Sequence, residues 1–256
     1  MEEKDLKDLQ YAKELLENPS FASKLTNIVG YPIEKGIALL PDNWSMIVSN
    51  VTKKSLVQAL NFAVMTMDNK EKASSDILHK VSVSATGVVG GAFGLPAISI
   101  ELPVSTAIML RSIADIARSE GENINTMESK MACLEVFALG GKSPDDDASE
   151  TGYYIIRGIL AREVSEAAKY IAEKGIVEEG APAIVRLIAA IASRFGITVS
   201  EKLAAQAIPV VGALGGGFVN TIFMDHFQDM ARGHFIVRRL ERIYGKDDVE
   251  TKYNSL

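Results

Sequence analysis

The stretch VSVSATGVVGGAFGLPAISIELPVSTAIML, residues 81–110, decides how this chain is read. Its one charged residue is Glu101, and it holds Gly87, Gly90, Gly91, Gly94, Pro96 and Pro103. A second charge-free run, LAAQAIPVVGALGGGFVNTIFM, spans residues 203–224 and holds Gly212, Gly215, Gly216, Gly217, Pro209 and Asn220. By length each run is a transmembrane candidate. Their composition argues against that: few bulky aliphatics are left to meet lipid, and flanking aromatic belts and a basic loop are missing. The expectation is buried helices of a globular core. The competing reading is a hairpin that dips into a membrane or rests on it.

Glycine inside a helix costs about 1 kcal/mol relative to alanine, so so many of them call for a compensating gain. Close backbone approach is that gain: Gly87/Gly91 and Gly212/Gly216 repeat at four-residue spacing, which lets two helices pack with little between them. The two runs are therefore expected to lie against each other at the centre as glycine-rich helical hairpins. A phosphate-cradling loop is disfavoured, because Gly90-Gly91-Ala92-Phe93-Gly94 lacks the Lys-Ser/Thr of a P-loop and no strand precedes it.

Outward from these runs, apolar residues recur at helical spacing and β alternation is scarce. Leu6, Leu9 and Leu16 mark a first helix, stopped at Asn18-Pro19. A short helix over 20–29 ends at Gly30. A longer one over 43–67 carries Trp44, Ile47, Val51, Leu56, Leu60 and Val64. A helix from Pro96 to Gly121 contains Pro103, which predicts a kink. Asn125 with Glu128 fits a capping box for a helix ending at Gly140-Gly141. Asp145, Asp146 and Asp147 read as a solvated loop rather than a calcium site, since ligand alternation and a central glycine are absent. Further helices are expected over 152–174, over 182–195 with a stop at Gly196, and over 200–244 with a break at Gly215-Gly216-Gly217. Thr198 with Glu201 reads as a capping box. The fold class is all-α, a multi-helix single domain: N-terminal helices over 1–72, a helical core over 73–245 and a flexible tail over 246–256.

Composition narrows the function. The 256 residues carry 33 acids against 27 Lys and Arg, a formal charge of −6, which disfavours nucleic acid as a partner. The start, MEEKDLKDLQ, lacks the basic-then-apolar pattern of a signal peptide, so a cytoplasmic location is expected. The single cysteine, Cys133, reads as a small core residue. No hydrolase or zinc-protease motif is present, and no cofactor is expected.

Glu101 is the sharpest single residue, because a carboxylate in apolar company must be paired, hydrogen-bonded or protonated. Its candidate partners are Arg111 and the pair Asp225-His226. Glu135 sits on a largely apolar helix, and Asn220, Asp229, His234 and Arg238 extend the polar set. Three readings compete: an internal ion-pair and hydrogen-bond network that fixes helix register, a ligand or headgroup site between the glycine hairpins, and a weak metal site at Glu101, Glu135, Asp225 and His226. Bundle metal sites typically carry Glu-x-x-His pairs, which are absent here. Lys53-Lys54 and Arg238-Arg239 with Arg242 read as solvated helix faces, or as contacts to anionic headgroups.

The run TGVVGGAFGLPAISIELPVSTAIMLRSIADIA, then Gly121-Glu122, then CLEVFALGG (133–141), resembles the EcsC protein family. So does IPVVGALGGGFVNTIFMDHFQDMARGHFIVRRLERIYG at the C-terminal end. The resemblance covers residues 81–245, with a looser match at Pro41–Trp44. It implies a bacterial, largely helical protein of unestablished biochemical function, named for a gene beside components of an ABC transporter. It carries over no catalytic residues. The positions matching recurrent polar letters are Glu101, Arg111, Glu135, Asn220, His226 and Arg238. The expected function is a non-enzymatic accessory or interaction protein at the cytoplasmic membrane face, whose partner is a membrane lipid or a membrane protein. The alternative is a metal- or carboxylate-dependent enzyme centred on Glu101 and His226.

Overall fold

A computed structural model describes residues 1–17, 21–66, 95–141, 152–175, 177–209 and 216–256. The described residues form ten α-helices and no strand. In chain order they are α1 (Glu3–Glu17), α2 (Phe21–Val29), α3 (Glu34–Ile37), α4 (Trp44–Thr66), α5 (Leu95–Ser119), α6 (Met127–Leu139), α7 (Tyr153–Lys174), α8 (Pro182–Ala207), α9 (Gly216–Tyr244) and α10 (Lys246–Ser255). The all-α reading is correct. The stretch 81–94, with Gly87, Gly90, Gly91 and Gly94, lies outside the described residues, as do Gly212, Gly215, His79 and the acidic run 145–147.

Several boundaries differ from the sequence reading, each for a local reason. The cap of α6 is Thr126 and not Asn125: its Oγ1 accepts from the Ser129 N–H at 3.2 Å. Gly196 does not stop a helix. α8 runs through it for 26 residues, because Phe195, Thr198 and Val199 on either side are all buried and hold the turn in place. Thr198 is therefore an interior residue and not a cap. The helix expected to start at residue 200 is the last part of α8, which ends at Ala207, and α9 begins at Gly216, within the expected break at 215–217. The tail expected to be flexible is helical, since α10 puts Val249 and Tyr253 into the core and Tyr253 packs edge-on to Tyr154, 5.3 Å between centroids.

α6 is buried on every side, and around it an aromatic cluster forms the middle of the molecule. Phe137 and Phe195 lie 4.9 Å apart, Phe223 and Phe227 5.2 Å, and Phe21 and Phe223 5.4 Å. Such tilted and edge-on pairs add roughly 1 kcal/mol each beyond their burial. Aromatics make up only 7% of the chain, and most of the phenylalanine is spent here.

Specific contacts sort the helix termini into two ends. Gly36 of α3 lies so close to α8 that a Cβ there would collide with the Ala204 carbonyl oxygen. Glu101 of α5 pairs with Lys202 of α8, and the Lys202 ammonium stands over the Phe223 ring of α9 at 4.6 Å. The starts of α5 and α9, the end of α8, and α3 therefore share one end. At the other, Glu122 after α5 meets Arg238 and Arg242 of α9, and Asp8 of α1 meets Arg239. Phe223 and Arg242 are about 28 Å apart along α9 at 1.5 Å rise per residue.

Candidate functional site

At the first end, Lys202 is only 1% exposed and its Nζ donates to Glu101 Oε1 at 2.6 Å, while the Glu101 side chain keeps 22% of its surface. Burial pushes the Lys202 ammonium below its ordinary value, and the Glu101 charge works against that. Glu101 thus has the ion-pair partner that its apolar surroundings demanded, but it is neither Arg111 nor His226. Among the described residues Arg111 forms no ion pair with Glu101; Asp225 is exposed on α9. Asn220, in the first turns of α9, holds a buried Oδ1 with no hydrogen-bond partner among the described residues.

The elements around this pair expose several large apolar side chains. Ile28, Tyr31, Ile37, Leu39, Met46 (62% exposed) and Ile100 (57%) all stand in solvent within α2–α4 and the start of α5. The Lys35 ammonium lies 5.7 Å over the Tyr31 ring, so the rim also carries a cation seated on an aromatic face. From residue 24 to 65 the bases are Lys24, Lys35, Lys53 and Lys54 and the acids are Glu34 and Asp42, a net +2 (4 − 2) in a chain whose total is −6, with Lys24 paired to Asp229 of α9 at 2.7 Å. Nearby α8 is the one helix among the described residues long and apolar enough to cross a bilayer. Core helices pass the same test, and α8 buries Ile184, Leu187, Ile191 and Phe195.

His226 lies deeper, at the end of α6. Its Nε2–H donates to the Gly140 carbonyl at 2.9 Å, and burial pushes it down to about 4, so it is neutral at pH 7. Gly140 is obligatory there, because a Cβ would approach His226 Nε2 and Phe227 Cε1 to 2.8 Å. Gly36 and Gly140 are thus places where two helices approach closely because no Cβ intervenes. Arg194 of α8 closes the same helix end, donating to the carbonyls of Ala138 at 3.1 Å and Gly141 at 2.9 Å.

Glu135 belongs to a third place. Burial raises its carboxyl to about 7, against the pull of Arg157 and Arg238. His234 Nε2 is 3.9 Å from Glu135 Oε2, and His234 Nδ1 is 2.9 Å from the Tyr153 hydroxyl. Arg238 is in the core of a network: its Nε donates to Glu122 Oε1 at 2.8 Å, Arg242 donates to the same oxygen, and Ser129 Oγ donates to Glu122 Oε2 at 2.8 Å. Burial would raise the Glu122 carboxyl, but the Arg238 bond and charge, Ser129 and Arg242 hold it below its ordinary value. The cluster Arg238-Arg239-Arg242 is engaged by acidic residues. It ties α9 to α1 and to the α5–α6 turn, with Arg239 reaching Asp8 at 2.6 Å and Glu120 at 3.2 Å.

The residues singled out in the sequence therefore divide among three places and do not converge. Glu101 and the first turns of α9 lie at the apolar end, His226 at the end of α6, and Glu135 with Arg238 at the arginine-rich end. Among the described residues no three His, Cys, Asp or Glu gather closely enough to hold a metal ion. Lys202, Tyr153 and Arg157 escaped the sequence reading. Lys202 gave one signal: it stands directly before the charge-free run, as Glu101 stands within the other.

The EcsC protein family matches residues 3–240, and the chain belongs to that family. No curated protein sequence and no solved structure matches the chain.

Proposed function

We propose that this EcsC-family chain is a non-enzymatic accessory protein that docks on the anionic cytoplasmic face of a membrane through the apolar end built by α2, α3, the start of α4 and the start of α5. The observation that carries this reading is the exposure of Ile28, Tyr31, Ile37, Leu39, Met46 and Ile100 on one end of the molecule. Large apolar side chains exposed on neighbouring elements suit an interaction site, and aliphatic groups set among lysines suit the boundary between headgroups and acyl chains. Lys35, Lys53 and Lys54 add attraction to anionic lipid at about 1 kcal/mol per cation near the surface. The Glu101–Lys202 pair lies behind the rim, where it joins α5 to α8. A membrane protein held at the same surface, an ABC transporter among them, is the partner class this docking would serve.

Flotation with vesicles tests the reading. Protein mixed with phosphatidylglycerol-rich vesicles is expected to float, and to float far less with phosphatidylcholine alone. Replacing Ile37, Leu39 and Met46 together by serine is expected to reduce the floated fraction at least tenfold. Equal flotation of wild type and triple variant, or none with either vesicle, would remove the proposal.

A further inference from the structure

We propose that Glu135 and His234 form a one-proton site whose occupancy reverses the hydrogen bonds running from α6 through α9 to Tyr153 at the start of α7. The geometry is an array on three helices. Glu135 is 6% exposed and His234 fully buried. Tyr153 Oη is 2.9 Å from His234 Nδ1. His234 Nε2 has no hydrogen-bond partner among the described residues, and Glu135 Oε2 stands 3.9 Å from it. Closing that gap by about 1 Å brings the two atoms into hydrogen-bond range.

A neutral imidazole has one N–H and one bare nitrogen, so what each side offers is coupled. With Glu135 protonated, its O–H donates to Nε2 and the imidazole proton sits on Nδ1, where it donates to the Tyr153 oxygen. When Glu135 loses its proton, a carboxylate facing a bare nitrogen would be repulsive. The imidazole proton then belongs on Nε2, where it donates to the carboxylate, and the Tyr153 hydroxyl turns to donate to Nδ1. One proton leaves to solvent, and two hydrogen bonds change direction.

The surroundings permit both states. Burial keeps His234 from becoming a cation, reinforced by Arg157 and Arg238. Those two arginines face Glu135 also, and favour its carboxylate, while Glu241 and Glu128 oppose it. Arg157 is itself held by Glu241 at 2.7 Å, and Arg238 by Glu122 at 2.8 Å. From α10, Tyr253 adds a phenol whose ring lies 5.7 Å from that of Tyr153. Burial raises Glu135 to about 7, which puts the exchange near neutral pH.

Nitrogen-15 spectra of the imidazoles distinguish the two tautomers directly. With only three histidines in the chain, His234 is assigned by the loss of its signals in His234→Gln. In the full-length protein, His234 is expected to carry its proton on Nδ1 at pH 5.5 and on Nε2 at pH 8.5. In Glu135→Gln, whose amide donates at every pH, it is expected to stay protonated on Nδ1 throughout. A carbon-13 titration of the glutamate carboxyls in wild type provides the second measurement, with a Glu135 midpoint near that of the tautomer change. A single His234 tautomer from pH 5.5 to 8.5, a change that persists in Glu135→Gln, or a Glu135 midpoint in the ordinary carboxyl range would overturn the proposal.

Discussion

The two ends of the bundle handle charge in opposite ways. At the arginine-rich end, Glu122 is surrounded by donors from Arg238, Arg242 and Ser129, and Arg239 bridges Asp8 and Glu120. The arginine bonds among them are long-range in sequence and join α1, α9 and the α5–α6 turn. The apolar end has one deeply set ion pair, Glu101–Lys202, behind a surface that leaves large side chains in water. At the first end most of the charge is taken up by ion pairs between helices. An end with unburied aliphatic surface gains free energy on covering it, at about 25 cal/mol per Å². Long-range ion pairs are thus concentrated at one end, and binding is proposed for the other.

The largest expected effect breaks the first end. Glu122→Gln strips Arg238 and Arg242 of the carboxylate they share, and removing one member of a buried ionic network costs about 3 kcal/mol or more. Urea unfolding of wild type and variant measures it. The folded variant should still float with anionic vesicles to the wild-type extent, because the apolar end is about 28 Å away.

The next effect sits between the ends, at His226. Its folded value of about 4 lies below the ordinary 6.5, so the unfolded chain binds the proton more readily. The contribution is complete above pH 6.5 and is lost as pH falls through 4. The 2.5-unit difference corresponds to on the order of 3 kcal/mol. Glu135 has the opposite sign: with a folded value of about 7 against 4.5, its contribution is complete below pH 4.5 and is lost as pH rises through 7. The two therefore offset each other over much of the range from 4.5 to 6.5. Subtracting the unfolding free energies of His226→Gln from those of wild type isolates the histidine. That difference is expected to shrink from pH 7 to 4; a constant difference would show that His226 is not held neutral by burial.

The smallest effect sharpens the contrast. Met46→Ser removes an exposed side chain, so its change in stability should stay within about 0.5 kcal/mol, as for surface substitutions generally. A cost of several kcal/mol would mean that Met46 is covered, and that the apolar end is part of the core.

Much of this was legible in the sequence, in kind more than in place. Apolar spacing located α4, α5 and α7 closely, since long amphipathic helices leave periodic marks. The need of Glu101 for a partner was legible as well. The partner was not, because Lys202 lies 101 residues away and looks like any lysine on a helix face. Close approach by glycine occurs at Gly36 and Gly140, whose neighbours only the fold brings together, whereas Gly87, Gly91 and Gly212, for which it was expected, lie outside the described residues. The arginines of α9 looked like a solvated face because their acids, Asp8, Glu120 and Glu122, belong to distant segments. Gly196 was read as a stop because helix propensity is local, whereas burial on both sides of it is not.

Trp44 is the chain's one tryptophan and sits at the start of α4, on the apolar end. Its fluorescence, measured with anionic vesicles whose acyl chains carry bromine, tests the central claim most directly. Strong quenching and a blue shift, both abolished by serine at Ile37, Leu39 and Met46, is the result expected. An unquenched Trp44 on protein that floats with the same vesicles would contradict the account, because the molecule would then be attached by another surface.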